Sequence, residues 1–121
     1  MSTVLVVDDA MFMRATMKKI LTEAGFEVVG EAENGKVAVE RYQSLKPNLV
    51  VMDITMPELD GLGALKEIRG LDPEAKIVMC TALGQERTVM EALNLGASDY
   101  LIKPFQADKV VAALKKASGA S

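Results

Sequence analysis

The stretch Val4-Leu5-Val6-Val7-Asp8-Asp9 decides the fold, because four consecutive apolar residues end there in two carboxylates. Two later segments repeat the consecutive apolar pattern. One covers residues 49–52, and the other covers residues 76–80, where Lys76 precedes four apolar residues. Consecutive rather than alternating apolar residues are typical of parallel strands that helices cover on both faces. Two less regular segments, residues 27–32 and 100–102, complete a set of five predicted strands.

Amphipathic segments separate the predicted strands. The first places apolar residues at the spacing of one helix face, at Met13, Met17, Ile20, Leu21 and Ala24. The corresponding positions of four further segments are Val37, Ala38 and Tyr42; Leu62, Leu65 and Ile68; Val89, Met90 and Leu93; and Val110, Val111 and Leu114. Five strand–helix units predict a doubly wound α/β fold with helices on both faces of a parallel sheet, since parallel strands need crossovers. We expect a single domain over residues 1–121, with no output domain.

The composition excludes several classes of function. The chain has 121 residues, with 14 Lys and Arg against 17 Asp and Glu, no His, no Trp and one Cys. Without histidine there is no Ser-His-Asp or Cys-His catalytic arrangement and no HExxH metal site. A single cysteine forms no internal disulfide, and a net charge of −3 does not favour nucleic acid as a partner. Any chemistry must therefore use carboxylates, hydroxyls and amines.

The cellular location is predicted from what the sequence shows at its start and in its apolar segments. No positively charged segment precedes the apolar residues at 4–7, which argues against a secretory signal. The longest apolar runs have about five residues, far fewer than the ~20 that cross a bilayer. We therefore expect a cytoplasmic protein that does not insert into membranes.

Polar side chains follow the predicted strands at their carboxyl ends, where open α/β sheets bind ligands. Asp8 and Asp9 follow the first strand, Asp53 the third, Thr81 the fourth and Lys103 the fifth. Taken singly, each is more typical of a helix cap, a turn or a solvated residue. Taken together they favour a function, because clustered carboxylates repel one another without a counter-charge.

A divalent cation would resolve this repulsion. Mg²⁺ prefers oxygen ligands and often joins carboxylates to phosphate oxygens, which assigns Asp8, Asp9 and Asp53 to a magnesium site. The hydroxyl of Thr81 and the ammonium of Lys103 suit the remaining oxygens of a phosphoryl group. A carboxylate can itself be the nucleophile that forms an aspartyl phosphate. The sequence therefore predicts magnesium-dependent phosphoryl transfer to a carboxylate.

The segments around these residues carry specific motifs: VVDD at residues 6–9, VMDITMPELDG at 51–61 and GASDYLIKPF at 96–105. In these motifs the chain resembles the receiver domains of bacterial two-component response regulators, above all the stand-alone chemotaxis type. The resemblance extends from residue 3 to about residue 117, in order and with ordinary spacing. It implies a flavodoxin-like fold with five helices and the strand order 2-1-3-4-5.

The resemblance also implies roles at the site. Asp53 would accept the phosphoryl group. Asp9, Asp53 and the backbone carbonyl of Thr55 would ligate Mg²⁺, while Asp8 would act mainly through a metal-bound water. Lys103 would pair with the acyl phosphate, aimed by a cis peptide before Pro104. Such a protein catalyses its own phosphorylation and dephosphorylation but acts primarily as a signalling switch.

A second set of implied residues transmits the signal. Thr81 would move to a phosphoryl oxygen, and Tyr100, exposed at rest, would turn inward behind it. The surface that changes would comprise helix 4, strand 5 and helix 5, where we place Arg87, Val89 and Tyr100. Thr55 and Leu83 would flank the hydrolytic water, and the apolar Leu83 could not orient it.

The implied partners are a histidine kinase as phosphodonor, the flagellar motor switch as target and an auxiliary phosphatase, with the chain itself a monomer. One alternative is a phosphorelay intermediate that passes its phosphoryl group to another protein. A small aspartyl-phosphate phosphatase fits less well, because Asp8-Asp9-Ala10 replaces the Asp-x-Asp of the haloacid dehalogenase type. A flavodoxin also fits less well, because Asp8 and Asp9 would repel the phosphate of FMN.

Overall fold

The computed structural model describes residues 2–56, 60–82 and 85–119. The strands are β1 (Thr3–Val7), β2 (Glu27–Ala32), β3 (Leu49–Asp53), β4 (Ile77–Ala82) and β5 (Asp99–Lys103). The helices are α1 (Met11–Glu23), α2 (Gly35–Leu45), α3 (Gly61–Leu71), α4 (Glu86–Asn94) and α5 (Ala107–Ala117). The strands pair in parallel in the order β2-β1-β3-β4-β5, which confirms the predicted fold and strand order.

The apolar strands divide their side chains between two cores, one on each face of the sheet. Successive residues of a strand point to opposite faces, so a strand without polar residues must be covered on both sides. One core joins strand residues to α2, α3 and α4, and includes Leu5, Val50, Met52, Ile77, Met79, Ala38, Leu65, Ile68 and Ala92. The other joins strand residues to α1 and α5, and includes Val4, Val6, Val51, Val78, Cys80, Met17, Leu21, Val110 and Leu114.

The prediction of which α4 residues face the sheet is partly wrong. Val89 and Ala92 are buried, but Met90 is 58% exposed and Leu93 is also exposed. Residues 89 and 92 lie three apart on one helix face, and this face rather than its neighbour packs on the sheet. The predicted apolar triplet therefore spans two faces of the helix, one in the core and one in solvent.

Helix ends follow the chemistry of their sequences. The side chain of Asn34 accepts a hydrogen bond of 2.9 Å from the backbone N–H of Val37 and begins α2. Lys46, with φ of 47°, ends the same helix just before Pro47. Gly25, with φ of 92°, follows α1 in the left-handed region that favours glycine.

Across the part of the chain that the structure describes, no helix is long and apolar enough to cross a membrane.

Candidate functional site

The strand order brings the predicted polar residues to one edge of the sheet. β1, β3, β4 and β5 are consecutive neighbours, and their carboxyl ends point the same way. The register pairs Asp53 with Cys80 and Ala82 with Lys103, so these strands end almost level. The residues that follow or end the four strands therefore meet in one place.

Three carboxylates form the centre of this site. Each of Asp8, Asp9 and Asp53 places a carboxylate oxygen within 4.8 Å of the others. Asp8 and Asp53 are buried, at 5% and 7% exposure, whereas Asp9 is exposed. Carboxylate oxygens open to solvent on one side are the donor set that Mg²⁺ uses, since this ion keeps several of its waters. The residues present therefore fit a magnesium ion.

Lys103 contributes the positive charge of the site. Its Nζ lies 3.2 Å from Oδ2 of Asp8 and 3.2 Å from Oδ2 of Asp53. Burial by itself would lower the pKa of Lys103, but the two carboxylates outweigh burial and raise the pKa above its ordinary value. Lys103 is therefore an ammonium at neutral pH, placed between two carboxylates.

The environment of the Asp53 carboxyl raises its pKa above the ordinary value. Burial raises the pKa of Asp53, and the nearby carboxylate of Asp8 raises it further. Lys103 and a hydrogen bond from the backbone N–H of Thr55 act in the opposite direction without cancelling the shift. A bound cation would favour the ionised, nucleophilic form of the same group.

Asp8 is held by backbone and side-chain contacts. The backbone N–H of Ala10 donates to its Oδ1 at 2.9 Å, and its own N–H donates to the carbonyl of Ala32 at 3.1 Å. Nη1 of Arg14 donates to the backbone carbonyl of Asp8 at 2.6 Å. The contact made by Arg14 was not predicted, because a cation within an amphipathic helix normally indicates a solvated side chain.

Thr81 and Tyr100 lie on two sides of one cavity. The hydroxyl of Thr81 is buried and donates to Oε1 of Gln85 at 3.3 Å. A cavity of about 250 Å³ between β4, α4 and β5 is lined by both residues together with Val89 and Met90. Tyr100 is 40% exposed, in the outward position that the resemblance implies for the resting state.

Of the residues placed on the partner surface, Val89 requires a correction. Its side chain is buried, at 8% exposure, because it packs inward between α4 and the sheet. Arg87 is exposed, and Met90 occupies the outward position expected of its neighbour. Val89 therefore lies beneath the surface of α4 and could act on it only through packing.

The remaining site residues are placed as follows. The Lys103–Pro104 peptide is cis, as the resemblance implies. Thr55 is exposed beside Asp53, and the role of its carbonyl as a magnesium ligand stays a prediction. Leu83 lies outside the described residues, so its expected position beside the hydrolytic water stays a prediction.

Gly61 is a second residue that sequence reasoning missed. It begins α3 directly against the end of β3, and its N–H donates to the carbonyl of Ile54 at 2.7 Å. A Cβ at this position would lie 2.6 Å from Cα of Ile54 and would collide with the backbone carbonyl of Asp53. The absence of a side chain at Gly61 thus sets where the backbone of Asp53 can lie.

Comparison with known proteins shows the family to which the chain belongs. The response regulator receiver domain is the family whose model matches, over residues 4–115, and the chain belongs to this family. Family membership sets aside the interpretations as a haloacid dehalogenase phosphatase or a flavodoxin.

The similar proteins include chemotaxis proteins of nearly equal length. The chemotaxis protein CheY of Thermotoga maritima is 57% identical over 115 residues, which cover 95% of this chain and 96% of that protein. CheY of Bacillus subtilis is 57% identical over 113 residues, covering 93% and 94%. A chain from the CheX–CheY–BeF3–Mg²⁺ complex of Borrelia burgdorferi superposes with a TM-score of 0.91 at 34% identity, covering 95% of this chain and 87% of that one.

Proposed function

We propose that this protein is a stand-alone response regulator of chemotaxis that is switched by phosphorylation of Asp53. The observation that carries the proposal is the position of Lys103, whose ammonium lies 3.2 Å from a buried carboxylate oxygen of both Asp8 and Asp53. A lysine between two buried acids supplies one positive charge where three carboxylates converge. With Mg²⁺ on the same carboxylates, this arrangement would suit a group that arrives with negatively charged oxygens, such as a phosphoryl group.

The proposed reaction is an in-line phosphoryl transfer. An oxygen of Asp53 forms a bond to phosphorus as the P–N bond of a phosphohistidine on the kinase breaks. The imidazole nitrogen keeps the electron pair and takes up a proton from water, so no reactant beyond the solvent is needed. Mg²⁺, held by Asp8, Asp9, Asp53 and the Thr55 carbonyl, would supply positive charge to the phosphoryl oxygens. Lys103 would exchange part of its contact with the carboxylates for one with the new acyl phosphate.

Thr81 and Tyr100 form the proposed switch. A phosphoryl oxygen is a stronger hydrogen-bond acceptor than the amide of Gln85, so phosphorylation would draw the hydroxyl of Thr81 away from its 3.3 Å contact. The cavity of about 250 Å³ beside Thr81 would then admit the ring of Tyr100. This motion would change the outer surface of α4, β5 and α5, which includes the exposed Arg87.

The flagellar motor switch is the proposed target, and a histidine kinase the phosphodonor. The near full-length relatives named as chemotaxis proteins support this choice over other response regulators. The proposal also includes an auxiliary phosphatase that removes the phosphoryl group, and a monomeric protein that acts in the cytoplasm. A phosphorelay intermediate would use the same site, but it would not need Tyr100 poised beside a cavity behind Thr81.

The acceptor assignment is tested with beryllofluoride, a mimic of the phosphoryl group, in the presence of Mg²⁺. We expect amide NMR resonances around the site to shift in the wild type and in Asp108→Asn, an exposed control on α5. In Asp53→Asn they should not shift. Binding of the mimic to Asp53→Asn as tightly as to the wild type would disprove the assignment.

The target is tested separately, with the purified motor switch protein of the source organism. Activation with beryllofluoride should tighten binding severalfold in the wild type and leave Asp53→Asn unchanged. Equal binding in both states, together with rapid phosphoryl transfer to a second histidine-containing domain, would favour the phosphorelay alternative.

A further inference from the structure

Arg14 connects three elements next to the carboxylate cluster. Its Nη1 donates to the backbone carbonyl of Asp8 at 2.6 Å, and its Nε donates to Oε1 of Glu31 at 3.0 Å. Only 14% of its side chain is exposed, so the guanidinium is fixed between α1, the end of β1 and β2. Hydrogen bonds from a charged donor are roughly twice as strong as neutral ones, which makes this contact to a backbone carbonyl unusually firm.

The carbonyl that Arg14 contacts belongs to the peptide bond between Asp8 and Asp9. The N–H of Asp8 is already held by the carbonyl of Ala32 at 3.1 Å. That bond fixes the preceding peptide unit, and Arg14 fixes the carbonyl of the next one, so the peptide plane between two of the three clustered carboxylates has little freedom to rotate. The relative direction of the Asp8 and Asp9 side chains therefore depends on Arg14.

Glu31 orients Arg14 and offsets its charge. One oxygen of Glu31 accepts from Arg14, and the other accepts from Nζ of Lys18 at 2.9 Å. The hydrogen bond from Lys18 holds the pKa of Glu31 below its ordinary value, against the effect of burial and with a further contribution from Arg14. An ionised Glu31 also reduces the repulsion that a guanidinium near the site would exert on a cation.

We infer that Arg14, oriented by Glu31, is a positioning residue that sets the affinity of the Asp8–Asp9 pair for a divalent cation. The inference rests on the cation site of the proposed function and adds to it a determinant outside the carboxylates. Arginine suits this role because its planar fork reaches two acceptors in fixed directions. A lysine at the same position would keep the charge but would lose the planar fork by which Nη1 and Nε reach the Asp8 carbonyl and Glu31 separately.

The test measures Mn²⁺ affinity by the EPR signal of the free ion, at a temperature where every variant is folded by circular dichroism. Arg14→Lys should weaken Mn²⁺ binding about tenfold, the lower end of the effect of residues that orient metal ligands. Glu31→Gln should weaken it to a similar extent. The double variant should be no worse than Arg14→Lys alone, since both substitutions remove the same constraint. Arg69→Lys, which removes a guanidinium contact of 3.1 Å to the backbone carbonyl of Ala75 away from the site, is the matched control and should bind as the wild type does.

The possible outcomes separate this inference from the function on which it rests. If the wild type does not bind Mn²⁺, the assignment of the cation site itself is wrong. Wild-type affinity in Arg14→Lys, or an equal loss in Arg69→Lys, would overturn the role of Arg14 and leave the site intact. Should Arg14→Lys not fold, Glu31→Gln decides, because it retains the arginine and replaces the carboxylate that orients it and offsets its charge.

Discussion

Lys103 and Asp53 form an ion pair of 3.2 Å at the level where β5 and β3 end, two strands apart in the sheet. The same ammonium lies 3.2 Å from Asp8. One lysine thus compensates two buried carboxylates. A cation that binds to the same carboxylates must share them with Lys103, and a phosphoryl group that arrives there meets both positive charges.

Replacing Lys103 separates its effect on the rate of phosphorylation from its effect on Mg²⁺ affinity. We expect Lys103→Met to slow phosphorylation by a small acyl-phosphate donor about 10²–10³-fold, the usual result of removing one group that stabilises a developing charge. Mg²⁺ affinity should not fall, because the ammonium no longer competes for Asp8 and Asp53. Stopped-flow phosphorylation and calorimetric Mg²⁺ titration measure the two effects. Lys109→Met, on the exposed face of α5, should change neither. A rate within threefold of the wild type would contradict the role of Lys103.

The proposed coupling of the Thr81 hydroxyl to Tyr100 can be tested by the fluorescence of Tyr100. The chain has two tyrosines and no tryptophan, so Tyr42→Phe leaves Tyr100 as the sole strong intrinsic fluorophore. In that background beryllofluoride should change the emission, as Tyr100 leaves its 40% exposed position. Adding Thr81→Val should abolish the change without preventing binding of the mimic, which NMR of the site detects.

The control for this substitution is Thr88→Val, which makes the same exchange on the adjacent helix α4. The stability of Thr81→Val should stay within about 1.5 kcal/mol of its parent, because the hydroxyl loses only neutral contacts, to Gln85 at 3.3 Å and to the Ala82 carbonyl at 3.4 Å. An unchanged emission response in Thr81→Val would show that Tyr100 moves independently of Thr81.

The sheet and the position of its site could be predicted from the sequence because both depend on local patterns. Consecutive apolar residues mark strands covered on two faces, and the polar residues that end them must meet at one edge. The strand bounds differ only slightly from the prediction: β4 continues to Ala82, and β5 extends over Asp99–Lys103.

What the sequence could not predict depends on how elements pack against each other. Val89 and Met90 are adjacent apolar residues, and only the docking angle of α4 decides which of them is buried. Arg14 has the sequence pattern of a solvated cation, and its role follows from the nearness of β2 to α1. Gly61 stands in an ordinary helix start, and its importance follows from the path of the β3 backbone beneath it.

Gly61 and Gly70 provide a matched pair within α3. Gly61→Ala should destabilise the protein by roughly 1–3 kcal/mol, because the new Cβ has no room beside Asp53 and Ile54. At Gly70 a new Cβ would meet no atom of the described residues within 4 Å, so Gly70→Ala should stabilise the helix by about 0.5–1 kcal/mol. Urea unfolding measures both. Gly61→Ala should also weaken beryllofluoride binding, since relief of the clash displaces the acceptor. Equal stability in the two variants would contradict this account.

Tyr42 and Asp72 join α2 to the end of α3, at the end of the sheet opposite the site. The hydroxyl of Tyr42 donates to Oδ2 of Asp72 at 2.7 Å. Burial, reinforced by this carboxylate, raises the pKa of Tyr42 from 10.0 to about 12. The same hydrogen bond lowers the pKa of Asp72. The pair is therefore strongest with a neutral tyrosine and an ionised aspartate, which predicts a loss of stability at both extremes of pH.

Tyr42→Phe should reveal this dependence as a difference in the free energy of unfolding from the wild type. The wild type should be more stable, by a constant amount, from about pH 5 to pH 9, where both groups hold their favourable states. As the pH rises from 10.0 towards about 12, the unfolded chain ionises its tyrosine before the folded one does, and the difference should shrink. It should also shrink below the ordinary pKa of Asp72, because a protonated carboxyl accepts the hydrogen bond less well. Urea unfolding followed by circular dichroism across this range measures the difference, with Tyr100→Phe as the control for removing an exposed tyrosine hydroxyl. A difference that does not vary between pH 8 and pH 12 would show that the hydrogen bond to Asp72 contributes nothing to stability.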